Sequence, residues 1–322
     1  MLAPSTGLLS PPTGKIAVAG DWHGDTRYAL VSIAKAHALG VSTIIHVGDI
    51  GFFVDENHGI TMSYERGGRG GWSEPKNFRE QVQAALADAG MTLLFVRGNH
   101  DWPENEYSAL PRDGVPGATW GLVGDNIAEL PRGLRWVWEG VQFLALGGAA
   151  SIDKWHKQPL GAWWDGEQVT VLEAEQVTAD GSADVVIAHD APGNSVPGLD
   201  WEPNWDAVQR QWWKPEDTKR VFDGFKDGYA AGRKHRELLA GVLRSVQPAV
   251  WFHGHYHRAM QRTVAWHEAE TLVVGLADNR NRLESSLIVA DHVHQLADPM
   301  HRWFDESHYR VELGPETLDG GV

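Results

Sequence analysis

LLFVRGNHD, residues 93–101, is the stretch that decides how this chain is read. Leu93, Leu94, Phe95 and Val96 form a short apolar run bounded by turn residues, the pattern of a buried strand. Gly98 lets the backbone turn sharply and approach another group closely. Asn99 offers an amide oxygen to a metal ion. His100 can hold or give a proton near neutral pH, and Asp101 is placed in sequence to orient that imidazole or balance its charge. Taken alone, the loop also reads as polar punctuation after a core strand. The other strand ends decide between the two.

Residues 15–20 (KIAVAG) read as a first buried strand running into Asp21-Trp22-His23. A helix is expected over 26–39, with Asp25 as its N-cap and Gly40 as its stop. A second strand over 43–47 ends at Gly48-Asp49. A helix over about 77–89 then leads into the GNHD strand. Strand, helix, strand, helix, strand is the order of an α/β sheet with parallel crossovers. In such sheets ligands gather beyond the carboxyl ends of the strands. Further on, residues 134–139 and 141–146 read as a hairpin across Gly140. A strand over 184–188 ends in His189-Asp190, and one over 249–252 leads into HGHYH at 253–257. Residues 263–290 read as short antiparallel strands. The Gly-rich segment 54–73 reads as a loop over the site or as a solvated connector. The Trp-rich segment 201–246 is expected to be helical in its second half. Residues 1–14 read as a flexible tail and 15–322 as a single domain.

Composition narrows the chemistry. The chain has no cysteine, so any metal must sit on His, Asp, Glu or Asn. This suits a reducing compartment, and the expectation is a cytoplasmic protein. The start of the chain has no basic segment of a signal peptide, and no apolar run approaches the roughly 20 residues of a membrane helix. A formal net charge of −15 disfavours extended nucleic acid as a partner. It leaves room for a small phosphorylated substrate, because bound cations invert the local field.

Five strand ends carry polar signatures: DWH, GD, GNHD, HD and GHYH. Together they supply Asp21, His23, Asp49, Asn99, His100, His189, His255 and His257. Imidazoles, carboxylates and an amide without thiolate suit Mn²⁺ first, with Fe, Zn²⁺, Co²⁺ or Ni²⁺ as alternatives. The set exceeds what one ion takes, which points to two divalent metal ions. His253 reads as a histidine supporting the ligands or ending the strand rather than as a ligand itself. Asp190 reads equally as a support for a ligand imidazole or as a turn cap. Arg27, Arg66, Arg69 and Arg97 are candidates for gripping phosphate. The pairs Trp163-Trp164 and Trp212-Trp213 read as packing residues before base-stacking ones.

In the order DxH, GD, GNHD, lone His and GHxH, the chain resembles the calcineurin-like metallophosphoesterases over residues 15 to about 290. GGAASIDKWH at 147–156, with Trp163-Trp164, is similar to a subgroup of small bacterial and phage phosphoesterases. The resemblance implies an α/β (α+β) fold: a four-layer αββα sandwich of two mixed β-sheets flanked by helices, with a dimetal site at the strand carboxyl ends. It implies that Asp21, His23 and His257 bind one ion, that Asn99, His189 and His255 bind the other, and that Asp49 bridges them. A bridging hydroxide would attack phosphorus, His100 would protonate the leaving group with Asp101 tuning it, and Asn99 would also neutralise phosphoryl charge. The second block, GDIGFFVDE, lacks the Arg that serine/threonine protein phosphatases carry there, which counts against that activity. The expectation is therefore a phosphodiesterase acting on a small substrate, a cyclic or short nucleotide. A phosphomonoesterase of the same mechanism and a non-catalytic interaction scaffold are the alternatives.

Overall fold

The parallel strands are apolar on both faces, so each must be covered on both sides. In Lys15–Ala19 (β1), Ile16 and Val18 face one layer while Ala17 and Ala19 face the other. The computed structural model describes residues 9–52, 78–101, 108–111, 119–160, 163–199, 219–266, 269–304 and 309–312. After β1 come α1 (Thr26–Ala38), β2 (Val41–His46), α2 (Phe78–Ala89) and β3 (Thr92–Phe95). Then follow β4 (Ser108–Pro111), β5 (Thr119–Gly124), β6 (Ile127–Glu129), β7 (Arg135–Trp138) and β8 (Val141–Leu146). The next elements are α3 (Lys154–Lys157), α4 (Val171–Ala179), β9 (Val185–Ala188) and α5 (Lys219–Val246). The chain continues with β10 (Val250–His253), β11 (Met260–Trp266), β12 (Ala269–Gly275), α6 (Leu283–Ser286), β13 (Leu287–Ala290), α7 (Val293–Leu296) and β14 (Tyr309–Glu312).

Among the described residues two seven-stranded mixed sheets result, ordered β13-β1-β2-β3-β6-β5-β4 and β14-β11-β12-β10-β9-β8-β7. In the first, β1, β2, β3 and β6 run parallel. In the second, β8, β9, β10 and β12 do the same. Ile16, Val18, Ile45 and Leu94 of the first sheet meet Phe143, Val185, Ile187, Phe252 and Val274 of the second in one core. The far face of the first sheet packs on Ile33 and Ala36 of α1 and on Val82 and Leu86 of α2. The far face of the second packs on Val177 of α4 and on Leu239, Leu243 and Val246 of α5. This is the expected αββα layering.

Local signals behave as read. The Asp25 carboxylate accepts from the Tyr28 N–H (2.9 Å) to cap α1, and β7 and β8 pair as a hairpin across Gly140. The segment 263–290 holds short antiparallel strands, as read, shared between the two sheets. Strands β11 and β12 are antiparallel, but β13 crosses to the other sheet and pairs antiparallel with β1. Residues 9–14, read as part of a tail, are tied down: the Leu9 carbonyl accepts from Trp138 Nε1 (2.8 Å), and the Gly14 N–H donates to Ser42 Oγ (2.9 Å). The segment 54–73, the first part of the Trp-rich segment and Trp212-Trp213 lie outside the described residues.

The inter-sheet core includes Phe143, fully buried and stacked on Trp136 at 4.9 Å between ring centroids. Phe143→Ala is expected to cost about 3–5 kcal/mol of stability, read as a lower denaturant midpoint in metal-free protein. An unchanged midpoint would contradict this packing.

Candidate metal centre

Each parallel strand delivers its polar residues to the same edge of the sandwich. From the first sheet, Asp21 and His23 follow β1, Asp49 follows β2, and Asn99 and His100 follow β3. From the second, His189 follows β9, and His255 and His257 follow β10. The side-chain donors converge in two groups. Asp21, His23, Asp49 and His257 form one, and Asp49, His189 and His255 form the other. Within each group the donor atoms lie within 4.8 Å of one another. Asp49 belongs to both.

The backbone is bent to achieve this. His23, Asp49, His255 and His257 all have positive φ, at 48°, 53°, 66° and 54°. Left-handed non-glycine residues cost energy and persist where surroundings over-determine them. The surroundings here are hydrogen bonds between loops. The His23 N–H donates to the Asp49 carbonyl (2.9 Å), the His100 N–H to Asp49 Oδ1 (2.8 Å) and the His255 N–H to Asp21 Oδ2 (3.0 Å). Gly98 is required for another reason. A Cβ there would collide with the Asp49 carboxylate and peptide nitrogen.

The donors fit bound cations. His189 Nδ1 donates to the Val47 carbonyl (2.8 Å), so in the neutral ring Nε2 holds the lone pair. That nitrogen faces Asp49 Oδ2 at 3.3 Å and Asn99 Oδ1 at 3.2 Å. A lone pair aimed at two oxygens needs a positive charge between them. Burial opposes a proton on His189, yet the Asp49 carboxylate overrides it and pushes the imidazole up to about 10. The same pull against burial holds Asp49 itself well below the usual carboxylate range. Asp21 Oδ1 is buried with no hydrogen-bond partner among the described residues, and His23 Nε2 and His257 Nε2 converge at 3.0 Å. The second nitrogen of His257 lies 3.2 Å from the buried Asp278 carboxylate. That carboxylate–imidazole pairing commonly orients metal-bound histidines.

Several expectations change. Asp101 does not pair with the His100 ring. Its buried carboxylate accepts from the N–H groups of Gly98 (2.9 Å), Gly51 (3.0 Å) and Ile50 (3.3 Å), latching the GD loop to the GNHD loop. Burial, with Asp49 nearby, raises it to about 6. The His100 ring instead has Asp49 Oδ2 at 3.9 Å and Lys157 Nζ at 3.2 and 3.3 Å from its two nitrogens. Burial holds that imidazole well below its usual range. Asp190 caps the Ala191 N–H (2.7 Å) and binds His235 (2.6 Å) and Tyr256 (2.5 Å), so it braces α5 rather than touching His189. His253 is fully buried and outside both donor groups. Arg97 pairs with Glu129 (2.7 Å), while Arg66 and Arg69 lie outside the described residues. The faces of Trp163 and Trp164 are covered by Lys154 and by Arg97 and Arg132.

Four supporting residues escaped sequence reasoning: Ser151, Lys157, Glu167 and Asp278. Asp278 was within reach, since it follows the end of β12 as the other site residues follow theirs. Ser151 lies in the GGAASIDKWH motif and Lys157 directly after it, but nothing in spacing gave either a task.

A model of the family described as calcineurin-like phosphoesterase matches residues 14–259. The chain belongs to that family, whose chemistry is metal-dependent phosphoester hydrolysis. No curated protein matches the chain. Among solved structures, that of TT1561 of Thermus thermophilus is similar at 11% identity and a TM-score of 0.39, covering 86% of this chain and 98% of that one. No helix among the described residues is long and apolar enough to cross a membrane.

Gly98→Ala is expected to weaken both ions together, by about 10-fold or more, because it displaces the carboxylate common to both groups. Calorimetric titration with Mn²⁺ reads this directly. Wild-type affinity in the variant would mean that Asp49 tolerates the added methyl.

Proposed function

We propose that the protein is a two-metal phosphodiesterase acting on a small substrate such as a cyclic or short nucleotide. The observation that carries this reading is the Asp49 carboxylate, common to two groups of convergent donors. In it, Asp21, His23 and His257 hold one ion, Asn99, His189 and His255 hold the other, and Asp49 serves both. Mn²⁺ suits the mixture of imidazole, carboxylate and amide. Bound there, the ions would polarise the phosphoryl oxygens and lower the pKa of water.

The chain's own groups do the rest. Asn99 presents its amide to the cluster and steadies the substrate's phosphoryl charge. His100 stands at the rim, its side chain about one-fifth exposed, where an anionic substrate would offset the burial that disfavours its proton and let Nε2 give that proton to the departing oxygen. Asp101 acts as a positioning residue by holding the GD and GNHD loops together.

Charge favours a diester over a monoester. Arg97 is tied to Glu129, Arg132 to Glu173 and Arg280 to Asp278. Lys157 is held by Asp153 at 3.0 Å. These four cations are thus already matched by carboxylates. A diester brings one negative charge where a monoester brings about two at neutral pH, so it asks less of the remaining field.

Replacing His100 with Ala is expected to lower turnover by about 10²-fold or more, with poor leaving groups suffering most, while metal content stays intact. Asp49→Asn should lose metal as well. Equal metal loss in both variants would sink the distinction between them. With Mn²⁺ supplied, bis-p-nitrophenyl phosphate should turn over faster than p-nitrophenyl phosphate, and chelator should abolish both rates. The reverse preference would make the protein a monoesterase. Failure to bind divalent metal at micromolar concentration would make it a scaffold.

A further inference from the structure

We propose that Ser151 and Glu167 form a hydrogen-bond relay that fixes which way the Asn99 amide faces, and so completes the ligand set of the second ion. The inference rests on the two-metal reading above and assigns a task to the GGAASIDKWH motif.

Asn99, Ser151 and Glu167 are all buried. Glu167 Oε1 accepts the Ser151 N–H at 2.8 Å, and Oε2 lies 2.6 Å from Ser151 Oγ. A carboxylate offers only lone pairs, so the single hydroxyl hydrogen of Ser151 must point at Oε2. Toward Asn99 the hydroxyl therefore has only lone pairs left. Of the two ends of the amide, only the NH₂ can satisfy it, and Asn99 Nδ2 donates to Ser151 Oγ at 3.0 Å. The amide oxygen then faces His189 Nε2, 3.2 Å away, among the donors of the second group. The two ends of an Asn amide are nearly the same shape, so packing alone does not choose between them. Turned over, the amide would aim a donor with no lone pair at a cation.

The fold holds the relay in place through Arg132. Its guanidinium donates to the carbonyls of Gly147 (2.6 Å), Gly166 (2.8 Å), Glu167 (2.8 Å) and Gln168 (2.8 Å). The first lies at the end of β8, four residues before Ser151, and the others form the loop carrying Glu167. One half-buried side chain thus clamps the two loops that carry Ser151 and Glu167.

The polarity argument singles out an isosteric variant. In Glu167→Gln, the side-chain oxygen would still accept the Ser151 N–H, leaving the amide NH₂ to face Ser151 Oγ. The hydroxyl would then accept from residue 167 and point its hydrogen at Asn99, drawing the Asn99 oxygen away from the ion. The test is Mn²⁺ binding by calorimetry and equilibrium dialysis to the whole protein and to Ser151→Ala, Ser151→Thr and Glu167→Gln, with circular dichroism of each metal-free form to check folding. The wild type should bind two ions. Ser151→Ala and Glu167→Gln should weaken one of them by about 10–100-fold and leave the other unchanged. Ser151→Thr, which keeps the hydroxyl, should stay near wild type. Two ions in every variant at wild-type affinity, or equal weakening of both ions, would overturn the relay while leaving the two-metal reading standing. A wild type that binds fewer than two ions would overturn that reading itself.

Discussion

The Asp49 carboxylate, buried between two groups of histidines, is the constraint on which the rest depends. A carboxylate removed from water is costly unless opposite charge and hydrogen bonds meet it. Asp21 is equally buried close by. The two acids are met by imidazoles and backbone N–H groups drawn from both sheets, and the remaining lone pairs point at one another. Two cations resolve that arrangement, whereas protons on the histidines resolve it only in part.

This explains why the site needs the whole sandwich. The first sheet contributes Asp21, His23, Asp49 and Asn99, and the second contributes His189, His255 and His257. Neither sheet alone carries a complete donor group. The apolar core between the sheets sets the distance across the seam, and the loops above it take the strain. Four donor residues sit at positive φ, a conformation that costs of order 1–3 kcal/mol each. Ligands that bind only the folded protein return stability to it, so metal binding and folding reinforce each other.

The legibility of the site follows from the same geometry. Parallel strands with apolar faces on both sides announce themselves in sequence, and their polar carboxyl ends come labelled. Hence DWH, GD, GNHD, HD and GHYH pointed to residues that do come together. Support from elsewhere in the chain was harder to read. Glu167 meets Ser151 across a loop held by Arg132, and Lys157 reaches His100 from a short helical segment beyond β8. Such contacts obey no period. Adjacency also misled: Asp101 follows His100 directly, yet the turn sends its carboxylate back to Gly51 and Gly98. The placement of β13 beside β1 is a pairing across most of the chain, and local sequence pattern does not carry it.

If one carboxylate serves two ions, both must lie against it. Anomalous diffraction from crystals grown with Mn²⁺ tests it most directly. Two anomalous peaks are expected, both in contact with Asp49, one also ligated by Asp21, His23 and His257 and the other by Asn99, His189 and His255. A single peak, or two peaks of which Asp49 touches only one, would contradict it.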